Sequence, residues 1–228
     1  MITTNTATQS FRGTQPFGNT RVPPARTVAI TASLDLPGFT MTFDRDEEIF
    51  GEGESADFIY RVISGTVRSI RLLDDGRRLI SAFYQPGDVF GLEMGETHGA
   101  TAEAVTGCEI ALVKRIAVER AASQDHAAAG ALWALTSRQL RDAQDHLVML
   151  GRRNAAEKVG RFLIDMVRRS SAANVVQLPM SRLDIADYLG LTIETVSRTL
   201  TQMERDGVIA IQGGRRITLR QLAALPRQ

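Results

Sequence analysis

The chain has 228 residues, of which 43% are hydrophobic and 23% are charged, a balance typical of a soluble globular protein with one large or two small domains. It has no apolar run of about 18 residues and no basic-then-apolar signal at its N-terminus, so we expect a cytoplasmic protein that does not cross a membrane. The single cysteine, Cys108, excludes a disulfide framework and a cysteine-rich metal cluster within one chain.

The net charge of +1 hides an uneven distribution of charge along the chain. Residues 1–150 carry 14 Lys and Arg against 19 Asp and Glu, which gives −5. Residues 151–228 carry 13 against 7, which gives +6. A basic C-terminal part fits an anionic partner such as the phosphate backbone of nucleic acid.

The first half of the chain predicts a mobile arm followed by a β-rich domain. Residues 1–27 are rich in Thr, Pro and Arg and show no hydrophobic periodicity. Short β-type runs separated by glycine turns follow, and Asp75-Gly76 between two alternating runs is a strong hairpin signal. Many short strands with regular turns predict a β-barrel or jelly roll. The predicted strands cover residues 28–32, 38–43, 48–50, 57–64, 66–73, 78–84, 89–90, 102–104 and 108–113.

A short helix over residues 115–123 and a long helix over residues 125–150 are predicted next. The long helix has a stripe whose members alternate by three and four, which is a heptad seam with one small and one polar member. The stripe either packs on the barrel of its own chain or pairs with a second copy in a parallel coiled coil. Its members are Trp133, Thr136, Leu140, Ala143, Leu147 and Leu150.

Beyond a hinge at Gly151, the pattern predicts an amphipathic helix over residues 152–169 and a strand over residues 174–178. The segment LPMSRLDIADYLGLTIETVSRTLT, residues 178–201, then predicts a helix-turn-helix. Ser181 is an N-cap with Asp184 three residues later, an acidic variant of the capping box. The residues predicted to turn the chain, cap the second helix and pack the two helices together are Gly190, Thr192, Ile185, Tyr188, Leu189, Val196 and Leu200.

The outward face of the second helix has the chemistry that reads DNA bases: it carries Glu194, Ser197, Arg198 and Thr201. Arginine can donate two hydrogen bonds to guanine, and glutamate can accept one from cytosine. An isolated Glu–Arg pair one turn apart is more often an ordinary surface pair. Here the cap, turn glycine, buried face and polar first turn coincide, which favours a recognition helix in the major groove. Residues 208–211 and 216–219, on either side of Gly213-Gly214, predict a two-stranded wing.

The order of barrel, long helix and winged helix-turn-helix resembles the CRP/FNR superfamily of bacterial transcription regulators over residues 28–220. The barrel signatures are IFGEGESADFIYRVISGTVR, residues 49–68, and YQPGDVFGLEM, residues 84–94. The sequence is most similar to FixK-type members in GLEMGETHGATAEA, residues 91–104, in RNAAEKVGRFL, residues 153–163, and in DIADYLGLTIETVSRTL, residues 184–200.

The resemblance assigns DNA contacts residue by residue. The family's recognition pattern E-x-x-S-R falls on Glu194, Ser197 and Arg198 and implies a TTGAT-type half-site with its inverted repeat. Ile193 stands where cyclic-AMP-binding relatives carry a base-contacting arginine, and its apolar side chain suits a thymine methyl group. The positions that meet phosphate in the family are Arg182, Thr192, Thr195 and, in the wing, Arg215.

The barrel departs from relatives that bind a cofactor. Cyclic-nucleotide-binding members hold the phosphate with a Gly-Glu helix start and a following Arg-Ser pair. In this chain the sequence after Glu93 continues to His98-Gly99-Ala100-Thr101 without an arginine, so we expect no cyclic nucleotide. Residues 1–30 contain no cysteine for an iron–sulfur centre.

No other cofactor, metal or catalytic grouping is expected. The three histidines, His98, His126 and His146, are not spaced as ligands, and we expect surface or helix-boundary positions for them. We expect Cys108 to be a buried small hydrophobe. No Ser/His/Asp grouping or P-loop is visible, so an enzyme is not expected.

The sequence therefore predicts an α+β protein with an arm (1–27), a β-roll (28–123), a dimerisation helix (124–150) and a winged helix-turn-helix domain (151–228). We favour the coiled coil, because a two-fold DNA-binding protein needs a dimer interface.

The resemblance implies a homodimeric activator of genes for low-oxygen respiration or nitrogen fixation, bound to palindromic double-stranded DNA. RNA polymerase would meet Asp74, Asp75 and the 168–174 loop, unless these are solvated turns. The alternatives are a regulator gated by an unrecognised effector in the β-roll, a repressor, or a scaffold that binds another protein.

Overall fold

A computed structural model describes residues 26–31, 34–93, 95–170, 172 and 174–221, which form strands and helices in the predicted order. The strands are β1 (Arg26–Thr31), β2 (Leu34–Phe43), β3 (Glu48–Phe50), β4 (Phe58–Ser64), β5 (Val67–Leu72), β6 (Arg78–Tyr84), β7 (Val89–Phe90), β8 (Thr101–Ala104), β9 (Cys108–Lys114), β10 (Val175–Gln177), β11 (Ile209–Gln212) and β12 (Arg216–Leu219). The helices are α1 (Arg115–Gln124), α2 (His126–Leu150), α3 (Ala155–Arg169), α4 (Arg182–Leu189) and α5 (Ile193–Arg205).

The N-terminal strands form two antiparallel sheets that enclose an apolar core. One sheet has the order β1-β2-β9-β4-β7 and the other β3-β8-β5-β6. The core between the sheets includes Phe39, Met41 and Phe43 of β2, which lie two residues apart and so share one face of that strand. At the turn after β4, Gly65 has φ +86°, and a Cβ there would lie 2.4 Å from the carbonyl oxygen of Gly107. Only glycine fits this approach.

The β5–β6 hairpin extends from the barrel toward the C-terminal part of the chain. Gly76, with φ +80°, closes its turn, and the strands pair from Val67 opposite Tyr84 to Leu72 opposite Arg78. Ile70, Ile80 and Phe83 of this hairpin belong to the same buried apolar cluster as α3, α4, α5 and the C-terminal strands. The barrel and the helix-turn-helix are therefore joined by packing as well as by the chain.

The C-terminal part is a three-stranded sheet, with the order β10-β12-β11, packed against α3 and α5. The predicted wing therefore has a third strand, because residues 175–177 pair with β12. Helix α3 buries one face, as the predicted amphipathic pattern requires. Its buried residues are Val159, Gly160, Phe162, Leu163, Ile164 and Met166.

Helix α1 and the first part of helix α2 pack on the barrel. Val118 and Ala128 are buried in a cluster with Ile30, Leu34 and other barrel residues. Further along α2, the side-chain amide of Gln139 donates to the carbonyl oxygen of Val89 at 2.7 Å. Among the described residues, no helix has both the length and the hydropathy that a membrane span requires.

Three elements begin two or more residues away from their predicted first residues, whereas the other boundaries agree to within one residue. Strand β1 begins at Arg26, so it includes two residues assigned to the arm, whereas residues 1–25 lie outside the described residues. Strand β2 begins at Leu34 rather than at residue 38, because its first residues pair with β1. Helix α3 begins at Ala155 rather than at residue 152, because Asn154 is extended and its side chain accepts from the Ala156 amide at 2.8 Å.

Candidate nucleic-acid interface

The first helix of the predicted helix-turn-helix, α4, begins with the capping box that its sequence specifies. The Asp184 amide donates to the Ser181 hydroxyl oxygen at 3.0 Å. In return, the Ser181 amide and hydroxyl donate to Oδ2 of Asp184, at 2.9 and 2.7 Å. These bonds satisfy amide groups that have no partner within the helix.

The turn between α4 and α5 occupies three residues. Gly190 lies in the left-handed region, with φ 61° and ψ 44°, and closes α4 as predicted. Thr192 then caps α5, since its hydroxyl oxygen accepts from the Thr195 amide at 3.2 Å. Val196, Leu200 and Met203 of α5 are buried, so the opposite face of α5 points outward.

That outward face carries the side chains predicted to read bases. Ile193, Glu194, Ser197, Arg198 and Thr201 are all exposed. A groove along the helix is lined by Ser197, Arg198, Thr201, Gln202 and Arg205. Gln202 and Arg205 were missed in the sequence, although Arg198, Gln202 and Arg205 recur at spacings of four and three, which places them on one helical face. Basic and polar donors thus extend over most of the length of α5.

Glu194 is held as a carboxylate beside Arg198. A hydrogen bond from its own backbone amide and one with the Thr192 side chain lower its pKa, and the Arg198 charge adds to this effect. The two side chains, both within the described part of the chain, form no ion pair within 4.0 Å. The carboxylate can therefore accept hydrogen bonds and the guanidinium can donate them without first breaking a pair.

The residues predicted to meet phosphate lie at the N-terminus of α5 and near the wing. Thr192 and Thr195 are linked through their hydroxyl groups at 3.0 Å. Nη2 of Arg182 donates to the carbonyl oxygen of Gly214 at 3.0 Å, and Nη1 of Arg215 donates to that of Pro179 at 3.3 Å. Arg182 thus ties α4 to the wing turn, a contact that its sequence position alone did not indicate.

Most of the predicted dimer seam on α2 is uncovered in the single chain. Trp133, Leu140 and Leu147 are 75%, 62% and 68% exposed, although all three side chains are large and apolar. Thr136 and Ala143 are exposed between them, whereas Leu150 is half-buried near Gly190. The face of α2 that packs on its own barrel is a different one, which includes Ala128, Leu132 and Leu135.

Comparison with known proteins places the chain in a family. Residues 157–227 match the Crp-like helix-turn-helix domain and residues 40–125 match the cyclic nucleotide-binding domain. The nitrogen fixation regulation protein FixK of Azorhizobium caulinodans is 49% identical over 208 residues, which cover 89% of this chain and 83% of that protein. The chain belongs to the FixK-type regulators of the CRP/FNR superfamily.

The similarity of the chain to two further proteins supports this assignment. FixK of Rhizobium meliloti is 39% identical over 85% of this chain and 89% of that protein. The structure of FixK2 from Bradyrhizobium japonicum superposes with a TM-score of 0.79 and 49% identity, over 82% of this chain and 95% of that chain. The predicted fold class is confirmed, and the protein is a DNA-binding transcription regulator of the CRP/FNR type rather than an enzyme.

The β-roll of this FixK-type protein contains a stack of aromatic rings beside the segment that runs from Glu93 to His98. His98 is buried and lies flat on Phe50, with ring centroids 3.6 Å apart. Nδ1 of His98 is 2.6 Å from Oε2 of Glu93, and Tyr60 and Phe90 continue the stack. The prediction of a surface or helix-boundary position for His98 was wrong, because the ring fills space inside the barrel.

The predicted positions of His126 and Cys108 are confirmed, whereas that of His146 was wrong. His126 is exposed at the start of α2, as expected. His146 lies inside α2 and is half-buried against Tyr188 of α4, so the expectation of a surface or boundary position was wrong. Cys108 is buried, its thiol donates to the carbonyl oxygens of Thr66 and Thr106, and burial raises its pKa. This environment fits an unreactive thiol.

The surfaces predicted for RNA polymerase lie on the barrel and beyond α3. Asp74 and Asp75 are exposed at the tip of the β5–β6 hairpin, and Asp75 pairs with Nε of Arg77 at 2.7 Å. Of the predicted 168–174 loop, residues 168 and 169 belong to α3, and residues 171 and 173 lie outside the described residues. Arg169 is bound to the Asp88 carboxylate.

Proposed function

We propose that this protein acts as a homodimer that binds a TTGAT-type inverted repeat through α5 and activates transcription without a small-molecule cofactor. The observation that supports this most directly is the exposed face of α5, where a carboxylate and a guanidinium lie one turn apart on a rigidly capped helix. A G·C pair presents the complementary groups in the major groove. Arg198 would bind the guanine, and Glu194 would accept from its paired cytosine.

The remaining base and phosphate contacts follow from the same placement. Ser197 shares the exposed face, and Ile193 at the helix N-terminus offers an apolar surface to a thymine methyl group. Thr192 and Thr195 lie at the positive end of the α5 dipole, where a phosphate is stabilised. Because Arg182 and Arg215 flank the wing turn, we assign them the phosphates on the far side of the groove.

The proposed dimer forms through the exposed seam of α2. An isolated chain that leaves Trp133, Leu140 and Leu147 in water exposes a contiguous apolar stripe of the kind that marks an interface. Pairing of two α2 helices in parallel buries this stripe and places two α5 helices on one face of the DNA. The residues assigned to the seam are Trp133, Thr136, Leu140, Ala143, Leu147 and Leu150.

Two features of the β-roll support action without a small-molecule cofactor. The segment after Glu93 contains no arginine for a phosphate, and the Glu93 carboxylate is engaged by His98 and the Gly99 amide. The rings of Phe50, Tyr60 and His98 occupy the neighbouring interior. The protein would then be controlled through its amount or its partners rather than by a nucleotide.

The biological role is inferred from the relatives. Several relatives are nitrogen fixation regulation proteins, and one from Rhodopseudomonas palustris is a transcriptional activatory protein. We therefore propose nitrogen fixation or low-oxygen respiration genes as targets. RNA polymerase would be contacted through Asp74, Asp75 and the 168–174 loop.

The test is a titration of the purified protein on a TTGAT-type palindrome, with a scrambled duplex of equal length as the control and no added ligand. Specific binding at least about 1,000-fold tighter than to the scrambled duplex is expected. Equal binding to both duplexes contradicts sequence-specific recognition. If specific binding appears only after small molecules from a cell extract are added, the protein is instead a regulator that is gated by an effector. Transcription in vitro with RNA polymerase then distinguishes an activator from a repressor.

A further inference from the structure

Two arginines of the β5–β6 hairpin reach across to the first turn of α4. Nη1 of Arg68 is 3.2 Å and Nη2 of Arg78 is 2.7 Å from Oδ1 of Asp184. Nε of Arg78 is also 2.8 Å from Oδ2 of Asp187. The contacts join residues more than 100 positions apart in the sequence and link the barrel to the helix-turn-helix.

The two carboxylate oxygens of Asp184 have separate partners. Oδ2 accepts from the amide and hydroxyl of Ser181 and so caps α4, whereas Oδ1 accepts from Arg68 and Arg78. One buried side chain therefore fixes the start of α4 and attaches that start to the barrel. Its side chain is only 4% exposed.

On the barrel side, the positive charge of Arg68 has further carboxylate partners besides Asp184. Arg68 also binds Glu103 at 2.6 Å and Asp46 at 3.2 Å. Burial raises the pKa of Asp184, but the hydrogen bonds from Ser181 and the charges of Arg68 and Arg78 outweigh it, so the pKa is lowered. The carboxylate therefore stays ionised, and withdrawal of the arginines would leave a buried charge without a counter-ion.

A second contact fixes the other end of α4 on the same hairpin. The ring of Tyr188 packs on Phe83 of β6, with centroids 5.2 Å apart. Helix α4 is thus held on β6 near both of its ends, by ion pairs at the start and by aromatic packing at the end. Because α5 follows after three residues and shares the core of α4, the orientation of α5 follows that of α4.

We propose that Arg68 and Arg78 are positioning residues for DNA recognition, which hold α4 on the barrel and thereby set the separation of the two α5 helices in the dimer. The inference rests on the proposed dimeric binding to an inverted repeat. A half-site requires only one correctly folded helix-turn-helix. A complete palindrome also requires the correct distance between two of them.

The test compares Arg78→Gln with the wild-type protein and with Arg77→Gln. Arg77 is the neighbouring residue of the hairpin and pairs only with Asp75 among the described residues, so its replacement makes the same charge change without loss of a contact to α4. Asp187→Asn is a second variant, which removes the charge of one partner of Arg78 and leaves the capping box intact. Affinity is measured for a duplex with one half-site and for palindromes whose half-site separation varies by single base pairs around one helical turn.

The affinity of the wild-type protein and of Arg77→Gln should have a sharp maximum at one half-site separation. Arg78→Gln and Asp187→Asn should keep half-site affinity within about twofold. They should lose roughly tenfold at the optimum and bind the shifted palindromes with less discrimination, since a tenfold change corresponds to one strong charge-assisted contact. A wild-type spacing profile in Arg78→Gln overturns the proposal, and so does an equal loss on half-site and palindrome, which indicates damage to the domain itself.

A measurement without DNA separates this inference from the proposed function. Spin labels are attached to cysteines at two exposed positions, Thr42→Cys on the barrel and Gln202→Cys on α5, in a Cys108→Ala background. The labelled protein is diluted with unlabelled protein, so that only the distance between the two labels of one chain is measured. The distribution of this distance should be narrow with Arg78 present and should broaden in Arg78→Gln. Failure of the wild-type protein to prefer the palindrome rejects the proposed function, whereas an unchanged distance distribution rejects the positioning role.

Discussion

His146 of α2 lies flat on Tyr188 of α4, with ring centroids 4.1 Å apart and planes 10° from parallel, and its Nε2 donates to the Tyr188 carbonyl oxygen at 2.8 Å. The helix proposed to form the dimer therefore touches the helix-turn-helix directly. Together with Phe83 and Arg78, this contact means that α4 is packed against the barrel, α2 and its own domain. The DNA-binding unit is held from several sides.

The contact makes stability depend on pH. Burial lowers the pKa of His146 below 6.5, against the raising effect of hydrogen bonds to the backbones of Tyr188 and Ser81. The unfolded chain then binds this proton more readily than the folded one, so the free energy of unfolding falls as the pH drops through and below 6.5. His146→Gln should flatten this dependence between about pH 7.5 and about pH 5.5, as measured by urea unfolding.

His126→Gln is the matched control, because His126 is exposed on the same helix. It should retain the wild-type dependence on pH. A His146→Gln protein whose unfolding free energy declines with acidification as steeply as that of the wild type contradicts the role assigned to burial.

Base recognition by Arg198 is tested on duplexes that differ only at the guanine. Arg198→Ala should weaken binding to the TTGAT-type site by about 1–3 kcal/mol per half-site and should relax discrimination at that base pair. Arg205→Ala is the control, since Arg205 is also exposed but lies in the last turn of α5, away from the N-terminal residues that meet bases. Fluorescence anisotropy with matched and substituted duplexes measures the affinity and the base-pair discrimination of both variants. If Arg205→Ala relaxes discrimination more than Arg198→Ala does, the assigned register of α5 in the groove is wrong.

Phosphate binding by the wing is tested through salt dependence. Arg215→Ala should weaken binding to specific and scrambled DNA alike and should reduce the slope of log K against log salt by about 0.9 per lost contact. Arg71→Ala makes the same charge change on the barrel, where Arg71 pairs with Glu52, and should leave the slope unchanged. A slope that falls equally in both variants would indicate a long-range effect of net charge rather than a contact.

The helix-turn-helix could be predicted from the sequence because its signals are local. Ser181 and Asp184 are three residues apart, Gly190 takes the one left-handed position of the turn, and Thr192 caps the next helix. Local signals also explain the error at α3, where Asn154 is a stronger cap than any residue near position 152.

The contacts that orient the domain could not be predicted in this way. Arg68 and Arg78 are 116 and 106 residues from Asp184, and no spacing rule relates residues so distant. The burial of His98, which lies between β7 and β8, depends on Phe50 of β3, and that of His146 depends on Tyr188 of α4. Periodicity assigns a residue to a face of its own element, but it does not identify the element packed against that face.

The exposed seam of α2 gives the sharpest test of assembly. Leu140→Lys places a charge in the middle of the proposed interface, and each Leu140 that fails to be buried costs the dimer about 1.5–3 kcal/mol. Sedimentation should show a shift from dimer to monomer, and affinity for the palindrome should fall toward that for a single half-site. Ala134→Lys, at an exposed position of α2 outside the seam, should remain dimeric. A Leu140→Lys protein that remains dimeric at the same concentration excludes this face of α2 as the interface, and the exposed Trp133 and Leu147 would then need another partner.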